Sequence, residues 1–199
     1  MKSWDVIVIG SGAAGFAAAV TACCKGLSVL MLEKAPQFGG TSAISGGAVW
    51  IHDSDQARTM TTDDSQQAIK TYLRTIIGEP NYRQDLIEAF ISSGREALAF
   101  LEKEGAVKYS LRPLSPDYYP DEPGAVDVGR ALEVVEFDGR KLGEYFRDLR
   151  SPPPWMLLFG GMMVNRVDIQ HFLDLRRSLR SITHSGKLLL RYGWRCVTR

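Results

Sequence analysis

The chain is poor in the residues that most often mark a functional site. It has three cysteines and three histidines in 199 residues. An odd cysteine count without framework spacing argues against a disulfide framework, and Cys23, Cys24 and Cys196 read as reduced thiols of a cytoplasmic protein. Cys23 and Cys24 are adjacent rather than spaced as C-x-x-C, so no redox role is expected of them. His52, His171 and His184 share no ligand spacing with one another or with the cysteines, and no metal site is expected. An excess of charge is lacking too: 24 Lys and Arg face 23 Asp and Glu, for a net charge of +1. That balance gives no electrostatic case for nucleic acid or an anionic membrane. No stretch reaches the roughly 18 unbroken apolar residues of a membrane span. The apolar N-terminus does not suit a secretory signal either, because Asp5 and three glycines interrupt it. With 45% hydrophobic and 24% charged residues, the composition is that of a soluble globular chain.

What is present is concentrated near the start. Val6-Ile7-Val8-Ile9 is a β-branched run of the kind that forms a buried parallel strand. Ala13 to Cys24 is alanine-rich and predicts a tightly packed helix closed by Gly26. Ser28 to Leu32 predicts a second buried strand ending in Glu33, which completes one βαβ unit in about thirty residues. Further on, apolar stripes predict helices over Asp63 to Ile77 and about Arg83 to Lys103, stopped by Gly78 and Gly105. Arg112 to Gly139 holds four prolines and predicts irregular loop with short extended pieces. Beyond the stiff Ser151-Pro152-Pro153-Pro154, the chain from Val167 reads as helical and basic, most simply a solvated face. The expected fold class is α/β: a Rossmann-type βαβ region over residues 1–60, then a mostly helical insertion over 61–199.

Gly10-Ser11-Gly12-Ala13-Ala14-Gly15 is a G-x-G-x-x-G that follows a predicted strand, opens a predicted helix and has an acid at the end of the next strand. Gly10 permits the tight turn, Gly12 lets a pyrophosphate approach the backbone, and Gly15 lets helix and strand pack closely. The N–H groups around Ala13 and Ala14, with the positive end of the helix dipole, suit the phosphates. Glu33 is placed to accept hydrogen bonds from the adenosine ribose, and its charge disfavours a 2′-phosphate. The alternative is a structural glycine turn in another α/β protein.

A nicotinamide-binding Rossmann domain runs on into further βα units. Here Glu33-Lys34 leads instead into a second segment dense in glycine and hydroxyls, with Gly39, Gly40, Thr41, Ser42, Ser45, Gly46 and Gly47. Backbone N–H groups and small hydroxyls in that segment suit a bulky planar ring, which favours flavin. A flexible loop is the competing reading, and an NAD-binding module the competing cofactor.

Six motifs carry a family resemblance: VIVIGSGAAG (Val6 to Gly15), LEKAPQFGGTSAISGGAVWI (Leu32 to Ile51), PDYYP (Pro116 to Pro120), Gly129-Arg130, FDGRKLG (Phe137 to Gly143) and FGGMMV (Phe159 to Val164). The chain resembles the FAD-binding fumarate reductase and succinate dehydrogenase flavoprotein superfamily, and within it is most similar to the 3-ketosteroid dehydrogenases. The resemblance implies FAD held at Gly10, Gly12, Gly15 and Glu33, with Gly39, Gly40, Thr41, Ser42, Ser45 and Gly47 following the pyrophosphate and flavin ring. It implies non-covalent FAD, because no histidine stands beside Thr41. It implies an active-site role for Tyr118, whose counterpart supports a second tyrosine; packing of Tyr118 and Tyr119 under the proline-rich loop is the alternative. The implied substrate is a small molecule such as a 3-ketosteroid, oxidised at a CH–CH pair beside its ketone.

Members of that family run to more than twice this length. The resemblance therefore implies a truncated chain matching their N-terminal part, with apolar faces and strand edges left uncovered. It leaves two function classes: an FAD-dependent dehydrogenase, or a catalytically inactive remnant with at most weak binding of the ADP half of FAD. A fumarate reductase-like flavoprotein is a competitor within the first class.

Overall fold

A computed structural model describes residues 2–60 and 64–197, apart from the side chains of Arg195 and Cys196. The chain divides into two compact units, Met1–Arg150 and Ser151–Arg199.

The first unit opens with the expected βαβ. Strand β1 (Val6–Ile9) and strand β2 (Val29–Leu32) pair in parallel, in register from Val6 with Val29 to Ile9 with Leu32. Helix α1 (Ala13–Cys24) connects them. Its alanines let it lie close to the strands. At Gly15 a Cβ would overlap the Gly10 carbonyl oxygen. The helix ends in a Schellman arrangement: Leu27 N–H donates to Ala22 O and Gly26 N–H to Cys23 O, with Gly26 in the left-handed region at φ 81°. The expected burial of β1 holds only for Val8, which packs toward Gly15; Ile7 and Ile9 on the other face are exposed.

A second, antiparallel sheet has the order β3 (Val49–Trp50), β5 (Ala131–Val134), β4 (Tyr109–Leu111). Leu132 of the central strand is fully buried. Two amphipathic helices lie in sequence between β3 and β4. Helix α2 (Gln66–Ile77) is capped by Ser65, whose hydroxyl accepts from Ala68 N–H at 3.1 Å. Its expected start at Asp63 lies outside the described residues. Helix α3 (Gln84–Lys103) ends in a second Schellman arrangement at Gly105. Ile69, Leu73 and Ile91 form a small core with Trp50, Ile77, Tyr82 and Ile87 against it. Phe90 stacks on Trp50 at 6.3 Å between ring centroids, which ties α3 to β3.

The second unit is built on α4 (Arg166–Leu173) and α5 (Leu179–Val197). Asn165 and Asp168 close a reciprocal capping box at the start of α4. The rings of His171 and His184 lie 4.2 Å apart, with His184 Nε2 2.7 Å from Asp168 Oδ1. Phe159 to Gly161 make a tight turn that leads into buried Met162. Among the described residues, Arg176, Arg177, Arg180, Lys187 and Arg191 are exposed, and no helix is long and apolar enough to cross a membrane.

Candidate cofactor-binding site

The turn after β1 is shaped by Gly10, whose φ of 95° is a left-handed conformation that a side chain would strain. From there Ser11 turns inward and is almost wholly buried, while Gly12 is the N-cap of α1 and Ala13 its first residue. Ala14 is exposed on the first turn. This places the N-terminus of a helix beside a loop whose glycines lack side chains, although Ala13 N–H is already taken by Ser42 Oγ.

The second glycine segment lies directly over the first. A Cβ on Gly40 would stand 3.1 Å from the Gly12 Cα, so the two backbones approach as closely as glycine alone allows. Ser42 Oγ accepts from Ala13 N–H at 3.0 Å. Gly39 is buried at φ 112°, and its N–H donates to Ser11 Oγ at 2.9 Å. Thr41 is exposed at the start of the 3₁₀ turn Ser42–Ile44. Ser45 is used locally: its hydroxyl donates to Ser42 O at 2.9 Å and accepts from Gly47 N–H at 3.1 Å. Gly46 is open, and Gly47 lies against Val134 of β5. The segment thus runs from the turn after β1 to the second sheet.

Glu33, at the end of β2, is exposed yet strongly hydrogen-bonded. Its Oε1 accepts from Ala35 N–H at 2.9 Å, and its Oε2 accepts from Ser11 N–H at 2.9 Å and from the Ser11 hydroxyl. Donation from Ala35 N–H, then from the Ser11 hydroxyl and N–H, holds its carboxyl well below the ordinary 4.5, at about 2. The site therefore presents a fixed anion at one end and a helix N-terminus at the other. Lys34 beside it is exposed. These features fit a dinucleotide: a turn without side chains, donors for phosphates, and an ionised acceptor for ribose hydroxyls.

Tyr118 lies in the same unit, on the loop before β5. It does not pack beneath the proline-rich loop; its side chain is 97% exposed. Both of its neighbours are anchored. Asp117 is buried and accepts from Trp50 Nε1 at 2.8 Å, Arg130 Nη1 at 2.7 Å and Val126 N–H at 3.1 Å. Tyr119 N–H donates to Tyr72 Oη at 3.3 Å.

That anchor belongs to a buried charge cluster that sequence reasoning did not find. Arg130, 1% exposed, also donates to both oxygens of Asp64 and to Gly124 O, and lies 5.4 Å from the ring centroids of Trp50 and Tyr72. His52 Nδ1 is 2.9 Å from Asp64 Oδ2. Burial alone would raise the Asp64 carboxyl, but hydrogen bonds from His52 and Arg130 outweigh it and hold the group below its ordinary 3.8. The available signal was Arg130 directly after Gly129, ahead of an apolar run; its acidic partners are 13 and 66 residues away. Ser11 carries a weaker signal in the sequence: a hydroxyl at the variable position of the motif, whose partner is the acid Glu33. Among the described residues no group of histidine, cysteine and acidic side chains could hold a metal ion.

Comparison with known proteins identifies the family. The chain is 36% identical over 193 residues to a 3-oxosteroid 1-dehydrogenase of Mycolicibacterium smegmatis, covering 97% of this chain and 33% of that protein. It is 36% identical over 187 residues to a 4-oxocyclohex-2-ene-1-carboxylate 5-dehydrogenase of Sinomonas cyclohexanicum, covering 94% of this chain and 31% of that protein. Among solved structures, a 3-ketosteroid delta1-dehydrogenase from Sterolibacterium denitrificans, in complex with 1,4-androstadiene-3,17-dione, superposes with a TM-score of 0.83 at 34% identity. That match covers 98% of this chain and 35% of the other. The chain thus spans about a third of the length of the curated relatives it matches. The sequence profile of the FAD binding domain family matches residues 5–197, nearly the whole chain. This chain belongs to the FAD binding domain family, and FAD is its cofactor.

Proposed function

We propose that the chain is the cofactor-binding part of an FAD-dependent dehydrogenase that removes hydrogen from a CH–CH pair beside a ring ketone, with a 3-ketosteroid as substrate. One observation carries the reading: a dinucleotide cradle and a bare, outward-facing tyrosine, Tyr118, stand in the same unit, and both flanks of that tyrosine are anchored. The dehydrogenases of Mycolicibacterium smegmatis and Sinomonas cyclohexanicum are both named for oxo compounds, which supports the ketone. A cytoplasmic location is supported by free thiols at Cys23 and Cys24.

In this reading Gly10, Gly12 and the first turn of α1 receive the pyrophosphate, Glu33 receives the ribose, and the Gly39–Gly47 segment flanks the flavin. Bound FAD supplies hydride acceptance. The binding is non-covalent: no histidine stands in the segment, and the nearest in sequence, His52, is buried against Asp64. Tyr118 presents its phenol to the substrate, where it supports removal of the proton α to the carbonyl. The Asp117 and Tyr119 anchors hold the chain on either side of Tyr118.

The test is anaerobic addition of a 3-ketosteroid to the chain loaded with FAD, followed at the flavin absorption band. Bleaching by the wild type, slowed by about two orders of magnitude or more in Tyr118→Phe, is the expected result. Equal bleaching by both proteins removes Tyr118 from the site. Bleaching by neither, with steroids or simpler cyclic ketones, contradicts catalysis by this chain alone and leaves cofactor binding as what it does.

A further inference from the structure

Ser11 occupies the variable position between the first two glycines of the motif, yet it is 1% exposed and its N–H and hydroxyl are both bonded. Both groups donate to Glu33 Oε2. Its hydroxyl oxygen accepts from Gly39 N–H at 2.9 Å. The direction is unambiguous. A backbone N–H only donates, so the single hydroxyl proton of Ser11 goes to the Glu33 carboxylate. Gly39 N–H, Ser11 O–H and the Glu33 carboxylate form one aligned chain in which each bond polarises the next.

Gly39 has little freedom of its own. It is buried at φ 112°, and a Cβ there would lie 2.6 Å from the Ala43 Cβ. Fixing its peptide also fixes the approach of Gly40 to Gly12 and the bond from Ala13 N–H to Ser42 Oγ.

We propose that Ser11 is a positioning residue that couples the two halves of the cofactor site. Its one hydroxyl orients Glu33 for the adenosine ribose and pins Gly39 at the start of the segment beside the flavin. The proposal rests on the cofactor assignment of Glu33 and of the Gly39–Ser42 segment. Removing the hydroxyl costs a bond at both ends of FAD; ADP, which stops at the diphosphate beside Gly12, registers the Glu33 end in full and the flavin-side segment only in part.

The experiment is calorimetric titration of the full chain with ADP and separately with FAD, for wild type, Ser11→Ala, Ser11→Thr and Glu33→Gln. Ser11→Ala is expected to weaken ADP about tenfold and FAD about a hundredfold, on the basis of one and two lost hydrogen bonds. Ser11→Thr keeps the hydroxyl and is expected to restore the wild-type ratio. Glu33→Gln is expected to weaken both ligands by the same factor. A purely structural role of Ser11 would not move the ratio of the two losses. Equal losses of ADP and FAD affinity in Ser11→Ala, or no loss, overturn the proposal. If Ser11→Ala loses its circular dichroism, Ser11→Cys takes its place, since a thiol fills similar space but donates weakly. Equal losses there overturn the proposal too. A wild-type chain that binds neither ligand overturns the cofactor assignment itself, before any variant is compared.

Discussion

Arg130 makes four hydrogen bonds from inside the first unit, to Asp64 twice, to Asp117 and to Gly124 O. A buried guanidinium with matched acceptors is tolerable; the same carboxylates without it are not. Arg130→Met is therefore expected to destabilise the chain by about 3–5 kcal/mol, measured by urea unfolding, because Asp64 and Asp117 stay buried without their cation. A change within about 0.5 kcal/mol would show that the two acids are relieved by another route. Glu33 makes a different prediction, in pH. Its folded carboxyl sits at about 2 against an ordinary 4.5. A depressed carboxyl stabilises the fold fully above its unfolded value and loses that contribution as pH falls toward its folded value. The wild type should thus lose stability between pH 4.5 and 2, and Glu33→Gln should show a shallower fall across that window in thermal melts. Parallel curves for the two proteins would contradict the hydrogen bonding seen at Ser11 and Ala35.

Among the secondary-structure elements, the βαβ unit and the antiparallel sheet differ in how they are written in the chain. β1, α1 and β2 lie within 27 residues, each with its own local signal: a β-branched run, an alanine-rich stretch, a glycine stop. Every partner is close in sequence, so the pattern is legible and its bounds match within a residue. β3, β4 and β5 have two to four residues each and acquire meaning only through distant pairing, such as Val49 with Leu132. No periodicity survives in so short a strand. The same distance hid the Arg130 cluster, since His52, Asp64, Asp117 and Arg130 come from four separate segments. The glycine motifs and Glu33 were legible because backbone geometry and one charge suffice to define them. Ser11 was not, because its importance lies in what it bonds rather than in its type. Leu132 tests the sheet. It is fully buried on the central strand, so Leu132→Ala is expected to cost about 2–5 kcal/mol, readable by denaturant unfolding. A loss near zero would mean that the sheet is not a packed element.

For the whole molecule, the notable feature is apolar surface. Ile7, Ile9 and Leu32 are exposed on the βαβ strands, as are Leu179, Leu190, Trp194 and Val197 on α5. Surface of that kind ordinarily meets more protein. The relatives, of which this chain spans about a third, have about twice as much additional chain. The chain alone is expected to enhance the fluorescence of an apolar dye such as ANS under native conditions, and to self-associate as its concentration rises. A dye-silent, monomeric protein would show that those side chains find cover within the chain.

Membership of the FAD binding domain family assigns the cofactor, and the two interlocked glycine segments are the residues suited to bind it. The most direct measurement is a spectral titration of the purified chain with FAD, in the flavin absorption range, followed by removal of free cofactor. A retained flavin band with one FAD per chain, lost in Gly15→Ala because its new Cβ drives into the Gly10 carbonyl, is the expected result. A folded wild-type chain that releases all its FAD would contradict a site built from the residues at Gly10–Gly15, Glu33 and Gly39–Gly47.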